Sequence, residues 1–425
     1  MIKRVSKNKK GLTGEVTIPA DKSISHRAVM FSALANGKSI IRNFSKGQDP
    51  HSTIRIFKEL GTDITFQDET NLTIKSDGKL NIPKNALDCG NSGTTMRLVS
   101  GILAGQNFNS VLLGDASLSK RPMKRIIEPL TLMGANIESE NNQAPLKIFG
   151  KKLHGISYTS PIASAQVKSC ILLAGLNADG VTKVTEPYLS RNHTELMLKY
   201  LGADIITDKT TTIIKPSKLT AKEITICGDI SSAAYFIVAG LIVPNSNLIL
   251  KNVGLNPTRC GIIEVAQKMG GDITILNKIE VSGELVGDIQ VKYSKLKSTE
   301  VGGDIIPRLI DELPVIALLA TQAEGQTVIK DAQDLRNKES DRIKTTVTEL
   351  KKLGADIEEL DDGFIIHGKK SLIGRCKTYT YNDHRLAMSL YIAGLICEKE
   401  IAIEGFEWAG ISFPEFEKLF EILNR

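Results

Sequence analysis

The motif Leu/Met-Gly-x-x-Ile recurs five times in this chain, and a pattern repeated at a near-constant period means that one supersecondary unit is reused. The copies are Leu60-Gly61-Thr62-Asp63-Ile64, Met133-Gly134-Ala135-Asn136-Ile137, Leu201-Gly202-Ala203-Asp204-Ile205, Met269-Gly270-Gly271-Asp272-Ile273 and Leu353-Gly354-Ala355-Asp356-Ile357. They lie about 70 residues apart, the last interval being longer. Each follows an apolar-periodic run and precedes β-type alternation, so each is read as a helix end whose Gly takes φ > 0. Upstream of each copy a β-type run ends in a polar cluster that opens a small-residue apolar helix. The openings are Asp21-Lys22-Ser23-Ile24-Ser25-His26-Arg27, Gly90-Asn91-Ser92-Gly93-Thr94-Thr95-Met96-Arg97, Ser164-Ala165-Gln166-Val167-Lys168-Ser169, Gly228-Asp229-Ile230-Ser231-Ser232, Asp311-Glu312-Leu313-Pro314 and Asn382-Asp383-His384-Arg385. Closing glycines are read at Gly37, Gly105, Gly175, Gly240 and Gly394. The result is six units of strand–helix–strand–helix–strands in an α/β (α+β) chain, the sixth ending in a helix without the Gly motif.

With 425 residues the chain exceeds one ordinary core, and two domains are expected. No apolar run approaches the roughly 20 residues that span a bilayer, and the basic start leads into no signal-peptide core. The cysteines Cys89, Cys170, Cys227, Cys260, Cys376 and Cys397 are scattered without ligand spacing, which reads as buried thiols in a cytoplasmic protein. A net charge of +6 raises nucleic acid as a partner, but aromatics make up only 5% and the cations are dispersed, so stacking platforms and basic stripes are both missing.

Ser, Thr, Asp and Asn at helix starts cap orphan N–H groups, and Asp229 and Ser231 are read as caps. Lys22, Arg27, Arg97, Lys168 and Arg385 are not explained that way, because cations near a helix start oppose the macrodipole. A bound anion would turn that penalty into attraction. Further cations lie on loops: Arg121 before Pro122, Arg191, and Lys338 with Arg342, read as four apart on one helical face. Lys124, Arg125 and Arg336 read as a solvated face. No cluster has metal spacing and no P-loop occurs, so Arg and Lys must neutralise the anions, and no metal or cofactor is expected. Asp311 and Glu339 lie among these cations, suited equally to proton transfer or to capping and ion pairing. His26 and His384 read as orienters of the arginines beside them.

Four of these segments resemble the enolpyruvyl transferase family: Asp21 to Arg27, Gly90 to Arg97, Leu335-Arg336-Asn337-Lys338-Glu339-Ser340-Asp341-Arg342 and Asn382-Asp383-His384-Arg385-Leu386-Ala387-Met388. The resemblance runs nearly end to end. It is to the branch acting on shikimate 3-phosphate, and Ser164 to Lys168, Arg191 to Glu195 and Asn256 to Arg259 place the chain in its second sequence class. It implies a two-domain, inverse α/β barrel-like fold of six βαβαββ repeats, three per domain with pseudo-threefold symmetry. The implied domains are 20–226 and 1–19 plus 227–425, with the active site in the cleft between them. It implies transfer of the enolpyruvyl group of phosphoenolpyruvate to the 5-hydroxyl of shikimate 3-phosphate, by a monomer binding only small molecules. By motif position, Lys22, Ser23, Arg27, Ser164, Ala165, Gln166, Arg191, Asp311 and Lys338 would meet shikimate 3-phosphate. Lys22, Gly93, Arg121, Gln166, Arg342 and Arg385 would meet phosphoenolpyruvate. Asp311, Glu339 and Lys22 would be catalytic, Asp311 as base toward the hydroxyl and Glu339 at the methylene carbon. Many members carry a Lys two residues before a C-terminal Phe-Pro, where this chain has Ile411. The second class often tolerates glyphosate, although Gly93 leaves room for that inhibitor.

Two other readings remain at this point. The sister transferase acting on UDP-N-acetylglucosamine has Lys-Asn where this chain has Lys22-Ser23, and a loop Cys absent between Gly114 and Lys124. A non-catalytic polyanion binder on the same scaffold would have no need of both Asp311 and Glu339.

Overall fold

All five repeat glycines take the left-handed backbone, with φ of +88° at Gly61, +93° at Gly134, +97° at Gly202, +89° at Gly270 and +99° at Gly354. A residue with a Cβ is disfavoured there. Each forms the same pair of helix-closing bonds: Gly61 N–H to Lys58 O and Thr62 N–H to Phe57 O, and equivalently at the other four sites. This is the Schellman arrangement, which satisfies carbonyls that a helix end leaves open. The computed structural model describes residues 1–424.

The helices, in order, are α1 (Lys22–Leu34), α2 (Gln48–Glu59), α3 (Gly93–Ala104), α4 (Lys124–Leu132), α5 (Ala165–Gly175), α6 (His193–Tyr200), α7 (Ile230–Ile242), α8 (Gly261–Lys268), α9 (Leu313–Thr321), α10 (Arg342–Lys352), α11 (His384–Gly394), α12 (Ala409–Ser412) and α13 (Phe416–Leu423). Up to α11 the odd-numbered helices are buried around nearly their whole circumference. Helices without a polar face belong inside a core. The repeat glycines close α2, α4, α6, α8 and α10, and a strand follows each within a few residues.

The strands form six separate sheets among the described residues, one to a repeat, packed on the buried helices as the six-repeat α/β architecture requires. In the second repeat Leu87–Asp88 pairs parallel with Asn109–Leu113, which pairs antiparallel with Leu146–Phe149, itself antiparallel to Asn136–Glu138. The third and fifth repeats have the same order. The first and fourth exchange their opening strands. Thr13–Thr17, just before α1, pairs parallel with Asn247–Gly254 of the fourth repeat. Glu223–Thr225, just before α7, pairs parallel with Ala35–Arg42 of the first. In the sixth, Lys377–Tyr379 pairs parallel with Ile401–Glu404, and Ile2–Val5 supplies the antiparallel neighbour.

The chain divides into two compact units. One comprises Ala20–Ile226 with Val281–Glu284, and the other Met1–Pro19, Cys227–Glu280 and the chain from Leu285 onward. In the first, α3 packs on both α1 and α5; in the second, α7, α9 and α11 pack on one another. Helix α13 is held by aromatic contacts, with Phe420 stacked on Phe236 at 4.4 Å.

Four of the closing glycines do other work. Helix α1 stops at Leu34, and Gly37 (φ +122°) lies in the strand Ala35–Arg42. Gly175, Gly240 and Gly394 lie inside or at the last residue of their helices. A Cβ on each would come within 2.8 Å of Thr182 Oγ1, 2.9 Å of Val291 Cγ1 and 2.7 Å of Val5 Cβ respectively. Their hydrogen atom lets a central helix lie against its sheet, a packing demand that resembles a helix stop in sequence. Gly105 is the C-cap of α3, at φ −91° rather than left-handed.

Candidate active site

In the unit built on Ala20–Ile226, the helix openings are capped as their residue types dictate. Asp21 accepts from Ile24 N (2.8 Å), Ser92 from Thr95 N (3.2 Å) and Ser164 from Val167 N (3.4 Å). These caps hold α1, α3 and α5 so that their first turns display the candidate residues. Lys22 Nζ meets Asp49 Oδ2 of α2 at 3.2 Å, both side chains about a quarter exposed. Arg27 is buried and donates through all three nitrogens: Nε to Thr194 Oγ1 (2.7 Å), Nη1 to Ser23 O (3.0 Å) and Nη2 to Ser169 Oγ (3.0 Å). Burial lowers its pKa to about 10, so it remains a cation at neutral pH. The Ser23 carbonyl thus orients Arg27, while Lys22 and Ser23 sit half-buried at the mouth of the helix.

A second group of cations surrounds Gly93. A Cβ there would lie 3.1 Å from Arg97 Nη1 and 3.6 Å from Arg121 Nη1, so the glycine leaves a space between two guanidinium groups. Arg97 donates to Gln166 Oε1 (2.6 Å), and the Gln166 amide donates to Thr94 Oγ1 (3.0 Å). Arg121 donates to Asn91 Oδ1 (2.8 Å). Gln166 and Ala165 form the first turn of α5, both partly exposed, and Arg191, also partly exposed, precedes Asn192, the N-cap of α6.

The other unit carries the candidate carboxylates. Arg342, fully buried at the start of α10, binds three acids. Its Nε donates to Asp383 Oδ2 (2.7 Å), Nη1 to Asp311 Oδ1 (3.3 Å) and Nη2 to Glu339 Oε2 (2.6 Å). Burial opposes its charge, but Asp383, Glu339 and Asp311 outweigh it and raise its pKa. Asp383, caught by Arg342, is lowered despite the same burial. Lys338 Nζ approaches Asp311 Oδ1 at 3.8 Å. Arg385 Nη1 lies 3.4 Å from Ser231 O and 3.8 Å from Glu312 Oε1. Asp311 and Glu339 keep 17% and 27% of their side-chain surface, so two carboxylates share one buried guanidinium and still reach solvent.

Several readings change. Lys168 is no anion ligand: its ammonium is buried between Glu186 Oε2 and Glu195 Oε1, each at 2.8 Å. Those partners come from 18 and 27 residues downstream, beyond any local pattern. Lys338 and Arg342 do not share a helical face, since Lys338 has extended backbone and α10 begins at Arg342; they meet at Asp311 instead. His26 does not touch Arg27 but joins Thr53 Oγ1 (2.7 Å), which meets Thr95 Oγ1 (2.8 Å). Arg336 is a clamp on Asp341 (2.9 Å) and Glu359 (3.0 Å). Asp229 does cap α7, accepting from Ser231 N. Ser231 itself donates to Glu312 and accepts from Arg259 Nη2 (2.6 Å). Sequence reasoning missed Asp49, Asn91 and Asp383 as partners of the site cations. Asn91 and Asp383 left a signal, inside the Gly-Asn-Ser-Gly and Asn-Asp-His-Arg openings, and Asp49 left none.

No group of three or more His, Cys, Asp or Glu residues suited to a metal ion occurs among the described residues, nor any helix long and apolar enough to cross a membrane. Residues 6–420 match the family model described as EPSP synthase (3-phosphoshikimate 1-carboxyvinyltransferase). The chain is 55% identical to a 3-phosphoshikimate 1-carboxyvinyltransferase of Bacillus cereus, over 98% of this chain and 97% of that one. It is 54% identical to the protein of that name from Thermodesulfovibrio yellowstonii, over 99% and 100%. Among solved structures, an EPSP synthase of Acinetobacter baumannii superposes with a TM-score of 0.90 at 43% identity, covering 99% of this chain and 97% of that chain. Matches of this extent leave no segment of the repeat array outside the likeness, and the chain belongs to the EPSP synthase family.

Proposed function

We propose that the protein transfers the enolpyruvyl group of phosphoenolpyruvate to the 5-hydroxyl of shikimate 3-phosphate, releasing phosphate, as a step toward chorismate and the aromatic amino acids. The observation that carries the chemistry is the single buried Arg342 holding Asp311 and Glu339 together. Addition–elimination needs one group to take the hydroxyl proton and one to protonate, then deprotonate, the methylene carbon. In this reading Asp311 accepts the hydroxyl proton as the oxygen bonds to C2 of phosphoenolpyruvate, and Glu339 delivers a proton to C3. The tetrahedral adduct then breaks its C2–O bond to phosphate while Glu339 takes back a proton from the new methyl group. No electrons are lost or gained, and no metal or cofactor enters.

Lys22, Arg121, Gln166, Arg342 and Arg385 hold phosphoenolpyruvate, with Gly93 leaving room for it. Lys22, Ser23, Arg27, Ser164, Ala165, Gln166, Arg191, Asp311 and Lys338 hold shikimate 3-phosphate. The arginines among them offer charge-assisted, forked contacts suited to phosphate and carboxylate. The cation missing at Ile411 is covered in this reading by Arg121 and Arg385. The protein works as a cytoplasmic monomer on small molecules, and its second-class motifs accompany glyphosate tolerance. Phosphate release from shikimate 3-phosphate plus phosphoenolpyruvate tests the reading. Release with UDP-N-acetylglucosamine in place of the shikimate ester, and not with the ester, would move the protein to the sister activity.

A further inference from the structure

We propose that Glu186 is a positioning residue for the shikimate-phosphate side of the site, clamping together the two loops that carry Ser164–Gln166 and Arg191. The inference rests on the function proposed above. Glu186 follows the strand Thr182–Thr185, and its side chain is 1% exposed. Its Oε1 accepts the backbone N–H of Ser164 at 2.9 Å. Its Oε2 accepts the Ser190 hydroxyl at 2.9 Å and the Ser190 N–H at 3.4 Å. Lys168, one turn into α5, ion-pairs with the same Oε2 at 2.8 Å and reaches Ser190 O at 3.4 Å.

A buried carboxylate is tolerated only when its lone pairs are filled, and Glu186 fills them in a revealing way. Three of the four contacts named land on loops rather than on the lysine. Ser164 is the N-cap that sets where α5 begins, and hence where Ala165 and Gln166 project. Ser190 immediately precedes Arg191. One carboxylate therefore fixes the separation of two substrate-side segments 26 residues apart, while Lys168, itself anchored by Glu195 (2.8 Å), holds that carboxylate in its rotamer. A simple core ion pair would need only Lys168.

The roles separate by steady-state kinetics on wild type, Glu186→Gln and Ser190→Ala with both substrates, beside thermal melts. The amide keeps the shape but offers one acceptor where two loops need one each, and turns N–H toward Lys168 or Ser190. Glu186→Gln is expected to raise KM for shikimate 3-phosphate about tenfold, the scale of one charge-assisted hydrogen bond, with kcat within about twofold and KM for phosphoenolpyruvate, which shares only Gln166 of these segments, raised clearly less. Ser190→Ala, which deletes only the hydroxyl donor, raises the same KM about threefold by the same arithmetic, and decides the matter if the glutamine variant does not fold. A shikimate-phosphate KM within about twofold of wild type in the folded variants, or an equal rise in both KM values, overturns the clamp. Wild type that releases no phosphate from the two substrates strikes the proposed reaction itself, a result distinct from an unchanged KM in an active enzyme.

Discussion

At the scale of single residues the site is a set of charges kept in place by other charges. Asp311 lies within reach of Lys338 and Arg342, and the function proposed above makes it the base toward the hydroxyl. Asp311→Asn preserves size and the contact with Arg342 but removes the basic oxygen. General-base catalysis contributes about 10²–10⁴-fold; kcat should fall by that factor while both KM values stay within a few-fold. Unchanged turnover in a phosphate-release assay would remove Asp311 from the role. His26 gives a second residue-scale prediction, of stability. Burial drives its pKa from 6.5 down to about 3, only partly offset by Asp49, and its Nε2 has no hydrogen-bond partner among the described residues. Above pH 6.5 the ring is neutral folded or unfolded and adds no pH dependence. Below that, the unfolded chain binds a proton that the folded chain refuses until about pH 3, so stability falls across this window with a slope of up to about 1.4 kcal/mol per pH unit. A His26→Gln variant should show a shallower fall of the urea midpoint between pH 6.5 and 4. An identical pH profile would mean that His26 is protonated in the folded protein.

At the scale of elements, two kinds of glycine look alike in sequence and differ in physics. Gly202 sits at φ +97° with nothing within 4 Å of a built Cβ. Gly202→Ala therefore carries only the left-handed backbone penalty, about 1–2 kcal/mol. Gly101, inside α3, has ordinary helical φ, but a Cβ there would meet the Cys170 backbone oxygen of α5 at 2.2 Å. Backbone cannot swing aside as a side chain can, so Gly101→Ala should cost more than Gly202→Ala, about 3 kcal/mol by the cost of overpacking a tight core. Chemical denaturation of the two variants checks the order; a reversed order would mean that α3 and α5 can separate easily. The same contrast explains what was legible beforehand. The Schellman turns are local, six residues closing on themselves, and their motif announces them. The Ala-Gly pairs report a neighbour that arrives from elsewhere in the chain, so in sequence Gly175, Gly240 and Gly394 look like stops. Lys168 looks like an anion ligand for the same reason, because nothing near it in sequence discloses Glu186 and Glu195. Lys22, Asp311, Glu339 and Arg342 were legible because they stand in short, ordered motifs at helix openings.

At the scale of the whole molecule, the exchange of opening strands between the first and fourth repeats makes the two units unequal in how they are encoded. Every strand in the three sheets of Ala20–Ile226 comes from that stretch of chain. Residues 227–425 encode their sheets incompletely: Thr13–Thr17 supplies one strand beside Asn247–Gly254, and Ile2–Val5 another beside Ile401–Glu404. Without them Leu12, Val16 and Ile18, all buried, leave apolar surface uncovered, and two inner strands become open edges prone to mispairing. A fragment of residues 20–226 should therefore unfold cooperatively in urea, losing only the hairpin tip Val281–Glu284 and the Glu284 partner of His193 (2.6 Å). Residues 227–425 alone should not. The ends of the second unit already meet, since the Asn8 amide donates to Asn424 Oδ1 at 2.5 Å. Appending residues 1–19 through a short flexible linker after residue 425 should restore the missing strands and a cooperative transition. Far-UV circular dichroism against urea distinguishes the three fragments. A cooperative transition in unextended 227–425 would show that the N-terminal strands decorate that unit rather than complete it.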